Sequence, residues 1–379
     1  MKNRYIAALL AALLLLPACA AQPSPVEGTT VPAETAAPVP TAAITDFVLT
    51  RADKDEGMIP TLQDLRKRIA KLCGAELKPG TDFVLQNKIA EPKYEILLGE
   101  TVRDISQAVY NKLELGGWAV VRTDSKIVIA GRGSVPLSEA IDWFCDNYFV
   151  DGAFTFPAEA EHYAVYDYDT FYEVLKGKTI NVLGDSYVYE GSLPSGRTWA
   201  VLLADKYGMD YRGYGQGGNA IASPTASGTP MYLRYTAMRK KADIVMVVGG
   251  RNDYNQRYPV GKVGDTTADT FCGALSILID GLKKQYPDSL ILFSTCWYVH
   301  ENQKAYSDAM LAVCKEKEIP CFHAADKTLS GVCMDNATFR QTYCIKPDDY
   351  SHLNDAGMEL VMPAYENFIA DEAERFFGK

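Results

Sequence analysis

Ser186 stands in the run Gly184-Asp185-Ser186-Tyr187, and His352 stands in Asp349-Tyr350-Ser351-His352, far along the chain. A serine hydroxyl is a weak nucleophile at neutral pH and needs an adjacent base. Histidine suits that task because an imidazole can take and return a proton near neutral pH. The imidazole in turn needs an acceptor that fixes its tautomer, and Asp349, three residues earlier, can reach back across one turn. An acyl group attacked by Ser186 becomes an oxyanion, which requires aimed donors. The candidates are the Ser186 backbone N–H, the backbone N–H of Gly218 in Gly215-Gln216-Gly217-Gly218-Asn219, and the side-chain amide of Asn252 in Gly249-Gly250-Arg251-Asn252-Asp253. Glycines at 217 and 218 let backbone approach a substrate without an intervening Cβ, and Gly217 stays open as the donor in place of Gly218. These residue types imply acyl transfer to water through an acyl-serine.

What joins the runs is their position. Residues 169–379 alternate strand and helix patterns. Thr179 to Leu183, a segment near Tyr211, the β-branched run Ile244 to Val248, and Leu290 to Thr295 read as strands. Trp199 to Tyr207, Phe271 to Leu282, Ala305 to Cys314 and Met358 to Phe377 read as helices. Repeated βα units imply a parallel sheet covered by helices, and sites in such folds lie outside the carboxyl ends of the strands. The serine run follows the first strand, the Gln216 run the second and the Asn252 run the third. The Asp349–His352 run comes just before the last helix.

The set of blocks resembles the SGNH hydrolases, also called GDSL esterases. Ser186, Gly218, Asn252, Asp349 and His352 carry the match, across roughly the C-terminal half of the chain; Tyr187 departs from the leucine common at its position. The resemblance implies a three-layer α/β/α flavodoxin-like fold, a serine ester hydrolase and no cofactor.

Upstream, residues 46–168 read as a small α+β domain without a catalytic constellation. Leu62, Leu65, Ile69 and Leu72 recur at helical spacing. Tyr94 to Leu98 is a strand, Thr101 is placed to cap a helix carrying Ile105, Val109 and Leu113, and Trp118 to Val121 with Ile127 to Ala130 form a hairpin about Asp124-Ser125. Ser138 then caps a helix through Ile141 and Phe144. Glu95-Ile96-Leu97-Leu98-Gly99-Glu100-Thr101 and Lys126-Ile127-Val128-Ile129-Ala130-Gly131 resemble the accessory α+β domain that precedes catalytic domains in some glycoside hydrolases.

The chain opens with Lys2 and Arg4, then an apolar run from Ile6 to Leu16, too short to span a bilayer as a helix. Leu16-Pro17-Ala18-Cys19 resembles a bacterial lipobox, which implies a signal peptide over 1–18 and a lipid on Cys19. Residues 19–44, rich in Ala, Pro and Thr, read as a disordered linker. The expected location is the extracytoplasmic cell surface, tethered to the membrane through Cys19.

A formal charge of −10 with no long basic run argues against nucleic acid as a partner. Neither CxxC nor HExxH occurs, so no metal is expected. Of 9 cysteines, Cys314 with Cys321, and Cys333 with Cys344, are close enough in sequence to pair; Cys73, Cys145, Cys272 and Cys296 read as small buried hydrophobes. His162, His300 and His323 read as structural or surface histidines. Arg251 allows either a salt bridge or contact with an anionic or sugar substrate. Tyr254, Tyr258, Trp297 and Tyr350 fall on the catalytic edge, where they would serve sugar stacking or ordinary packing. The expected substrate is a small ester or acetylated glycan, with carbohydrate O-deacetylation first. A lysophospholipase or short-chain arylesterase is the enzyme alternative, and a glycan-binding lipoprotein on a hydrolase scaffold the non-enzyme one.

Overall fold

A computed structural model describes residues 42–55, 58–83, 91–155, 160–226, 228–297 and 300–378. Segment 1–18, Cys19 and nearly all of the 19–44 stretch lie outside the described residues.

Two sheets, each with its own core, organise the described chain. The first holds β1 (Val48–Arg51), β2 (Lys78–Thr81), β3 (Glu95–Leu98), β4 (Gly117–Arg122), β5 (Lys126–Gly131) and β8 (Glu161–Val165), in the order β2-β1-β3-β5-β4-β8. Strands β1, β2, β3 and β5 run parallel, while β4 pairs antiparallel with β5 and β8. A short hairpin, β6 (Phe149–Val150) with β7 (Ala153–Phe154), follows the helices α1 (Ile59–Cys73), α2 (Asp104–Tyr110) and α3 (Ser134–Tyr148). Leu62, Leu65 and Ile69 of α1 and Ala140, Ile141 and Phe144 of α3 pack on Ile96, Ile127 and Ile129 of the sheet. Thr101 is not the cap of α2. The helix starts at Asp104 after Arg103, and the Thr101 hydroxyl accepts the Arg103 N–H at 3.4 Å. The third helix begins before Ser138, at Ser134.

The second sheet is β9 (Thr179–Gly184), β10 (Asp210–Gly215), β11 (Ile244–Gly249), β12 (Leu290–Thr295) and β13 (Cys321–Phe322). All pairings are parallel, in the order β10-β9-β11-β12-β13. This is the flavodoxin-like order, with its topological switch point between β9 and β11. The helices are α4 (Trp199–Tyr207), α5 (Met231–Arg234), α6 (Arg251–Asn255), α7 (Phe271–Gln285), α8 (Glu301–Glu316), α9 (Lys327–Ser330), α10 (Ala337–Tyr343) and α11 (Asp355–Phe377). Strand side chains alternate between faces because the β repeat is two residues. Ile180, Val182, Met246, Val248 and Leu292 join α4 and α11 on one face, where Trp199 stacks on Tyr365 at 3.8 Å. Leu183, Val245, Val247, Ile291 and Phe293 join α7 and α8 on the other. Burial on both faces explains why β11 reads as an unbroken apolar run. The result is a three-layer α/β/α domain, as the fold class reading requires.

Candidate active site

Ser186 sits directly beyond the carboxyl end of β9, at the switch point. Gly184 is required there: a Cβ would fall 2.4 Å from the Val188 side chain and 2.8 Å from the Val248 carbonyl oxygen. The turn is held by Asp185, whose Oδ1 accepts the Tyr187 N–H at 3.0 Å. Tyr187 is buried, with its ring centroid 4.2 Å from that of Trp297, and its hydroxyl donates to the Trp297 carbonyl at 3.3 Å.

His352 arrives from the loop before α11. Asn354 caps that helix by accepting the Gly357 N–H, and its amide donates to the carbonyls of Thr342 and Cys344. Ile345 donates its N–H to the His352 carbonyl at 3.1 Å. Trp297 Nε1 donates to the Ser351 carbonyl at 2.7 Å. One buried tryptophan therefore ties the serine loop to the histidine loop.

These restraints bring three side chains into series. His352 Nε2 lies 2.9 Å from Ser186 Oγ, and His352 Nδ1 lies 2.9 Å from Asp349 Oδ2. Asp349 Oδ1 also accepts the backbone N–H groups of Ser351 and His352, at 2.8 and 2.9 Å. Burial alone would raise the Asp349 carboxyl, but these N–H donors and the imidazole outweigh it and hold the group below the usual carboxylate range. A carboxylate kept ionised beside Nδ1 sets the tautomer in which Nε2 is free to accept a proton from serine.

The donor side is built by the loops after β10 and β11. Gly218 has φ +73°, a left-handed conformation that favours glycine. Among the described residues, neither the Ser186 nor the Gly218 N–H has an acceptor. The Asn252 amide is already engaged: Nδ2 donates to the Asn219 carbonyl at 2.9 Å and to Asp185 Oδ2 at 3.3 Å. Asp253, fully buried, accepts the N–H groups of Ile221, Ala222 and Ser223 and so shapes the chain just after Gly218. Burial pushes its carboxyl up against those three bonds. Burial also pushes Asp185 up to about 7, with the nearby Asp253 charge adding to it.

Several side chains fall elsewhere than the edge on which the sequence put them. Trp297 is buried under the site, and Tyr254 and Tyr258 pack against the α7–α8 core. Tyr350 remains on the rim, 41% exposed, with the Arg340 guanidinium 4.2 Å from its ring centroid. Tyr189, not singled out by sequence, is 43% exposed and lies 3.6 Å from the Cβ position of Gly217. His162 stacks on Trp143 at 4.2 Å in the first domain, and His300 is the residue before α8. The supporting roles of Trp297, Asp253 and Asn354 were not legible, although Asp253 lies inside the run that marks Asn252. Cys344 Sγ faces Met334 Sδ at 3.5 Å, while Cys296 Sγ lies 4.0 Å from Asp185 Oδ2.

A flavodoxin-like parallel sheet with serine, histidine and aspartate in hydrogen-bonded series at its switch point is the framework of a serine ester hydrolase. Residues 182–360 match the model of the GDSL-like Lipase/Acylhydrolase family, and all five residues of the sequence pattern fall within them. That part of the chain is similar to this family, and the protein is an ester hydrolase. No curated relative matches in sequence. Similar solved structures include a protein from Lactobacillus plantarum at 23% identity, covering 52% of this chain and 98% of that one, with a TM-score of 0.47. A GDSL-like lipase from Bacteroides ovatus shows 18% identity, coverage of 51% and 98%, and a TM-score of 0.40. A carbohydrate acetylesterase family member from Sinorhizobium meliloti shows 14%, 52% and 99%, and 0.36.

Proposed function

We propose that Ser186 is the nucleophile, His352 the general base and Asp349 its orienting carboxylate in the removal of O-acetyl groups from carbohydrate. The observation that carries the reading is the unbroken series Ser186 Oγ, His352 Nε2, His352 Nδ1, Asp349 Oδ2. Ser186 Oγ attacks the ester carbonyl carbon as its proton passes to His352 Nε2. The oxyanion that forms is met by the N–H groups of Ser186 and Gly218. Asn252 joins them by giving up the longer of its two bonds, the one to Asp185. Collapse expels the sugar alkoxide, which takes the proton from His352. Water, deprotonated by the same imidazole, then attacks the acyl-serine; acetate leaves and the proton returns to Ser186 Oγ.

The sugar reading is supported by the exposed rings of Tyr189 and Tyr350, which offer flat faces beside the serine and histidine loops. The lipid anchor at Cys19 and an extracytoplasmic location rest on the sequence pattern alone, and a surface-tethered enzyme would meet such glycans. The test is acetate release from acetylated xylan and 4-nitrophenyl acetate by the wild type and Ser186→Ala. The variant should lose hydrolysis of both while melting at the wild-type temperature. Undiminished activity would overturn the nucleophile assignment, and faster release of fatty acid from lysophospholipid than of acetate from glycan would overturn the substrate.

A further inference from the structure

Arg251 precedes Asn252 at the carboxyl end of β11 and is half-buried. No carboxylate among the described residues forms an ion pair with it. Its Nη1 donates instead to the neutral Oε1 of Gln303, its Nε is buried without an acceptor, and the Tyr254 ring centroid lies 5.8 Å from the guanidinium. A half-buried charge without a counter-charge is unfavourable. The nearby carboxylates do not relieve it. Asp185 is committed to the Tyr187 N–H and Asn252, and Asp253 to three backbone N–H groups.

The surroundings fix Arg251 without neutralising it. Gln303 is buried, and its Nε2 lies 3.4 Å from the Trp297 carbonyl. That carbonyl also accepts the Tyr187 hydroxyl, and the Trp297 ring donates to Ser351. The guanidinium is thus held by a chain of bonds that ends on the residues next to Ser186 and His352.

We propose that Arg251 binds an anionic group of the substrate, a carboxylate or a phosphate, so that the preferred esters are carried by acidic glycans. The planar fork of a guanidinium matches either oxyanion and gives it direction as well as charge. This inference rests on the acyl-transfer reading of Ser186 and is tested separately from it.

The full chain is assayed on matched mono-O-acetyl methyl glycosides: a glucoside, a glucuronoside and a glucoside 6-phosphate. Wild-type kcat/KM is expected to favour at least one anionic substrate over the neutral one by about 10-fold or more. Arg251→Gln should collapse that ratio toward one, and Arg251→Lys should keep part of it. The glucuronoside and phosphate arms identify which anion is read. In parallel, glucuronate and inorganic phosphate are tested as inhibitors of 4-nitrophenyl acetate hydrolysis, with glucose as the neutral control. Arg251→Gln should weaken the anion inhibition. Equal loss on all three glycosides would make Arg251 structural and overturn the proposal. So would wild-type inhibition by neither anion beyond that of glucose. Persistence of Ser186-dependent 4-nitrophenyl acetate hydrolysis in either case would leave the nucleophile assignment standing, so the two failures are distinguishable.

Discussion

Asp185→Asn should stabilise the protein at alkaline pH while impairing the enzyme. Asp185 has no solvent exposure, and its carboxyl is pushed from 3.8 to about 7. At about 1.4 kcal/mol per pH unit, that difference corresponds to ~4 kcal/mol between the two protonation states. The sign follows from proton counting. Between these two values the folded state holds the proton and the unfolded state does not, so stability falls as pH rises, and the full penalty is present above the folded value. Asparagine carries no charge and removes this penalty. It keeps an oxygen for the Tyr187 N–H but presents an amide to Asn252 where Oδ2 now accepts. Thermal melts of both proteins at about pH 5 and pH 8 check the argument. The variant's advantage should grow by ~3 kcal/mol between them, or about 4 °C in melting temperature. A gap that does not change with pH, or that narrows toward pH 8, would refute the buried-charge reasoning. The same variant should lose kcat by at least about 10-fold, because a donor placed against the Asn252 Nδ2 turns that amide away from the oxyanion.

Other expected outcomes are narrower. Asp349→Asn keeps an acceptor for the Ser351 and His352 N–H groups but loses the charge beside Nδ1, so kcat should fall by about 10³–10⁴-fold with little change in melting temperature; near-normal turnover of 4-nitrophenyl acetate would show that His352 needs no carboxylate. Trp199→Ala removes a fully buried ring stacked on Tyr365 and should cost about 3–5 kcal/mol in urea unfolding. A loss under about 1 kcal/mol would mean that the face between α4 and α11 is not a packed core.

The serine and histidine blocks were readable because each is local. A short strand followed by a glycine-flanked serine, and an aspartate three residues before a histidine, carry their geometry within a few residues. The β9, β11 and β12 runs were equally plain, since strands buried on both faces are apolar throughout. The two-residue edge strand β13, Cys321–Phe322, and the exposed strand β8 gave no such signal. Thr101 misled because a threonine before a helical pattern looks like a cap, whereas the chain turns again at Arg103 before the helix begins.

Sequence alone determined the candidate residue types for acyl transfer, their order and the alternation of strand and helix that puts them at one edge of a sheet. Tertiary structure decided which groups face one another. Trp297 reads as a rim aromatic, yet packing against Tyr187 turns it inward, where its two polar ends join the serine and histidine loops. Arg251 reads equally as half of a salt bridge or as a contact for an anionic or sugar substrate, and the fold gives it an amide oxygen in place of a carboxylate. Such pairings join residues 52 to 110 positions apart, and hydrophobic periodicity within one segment holds no information about the partner from another.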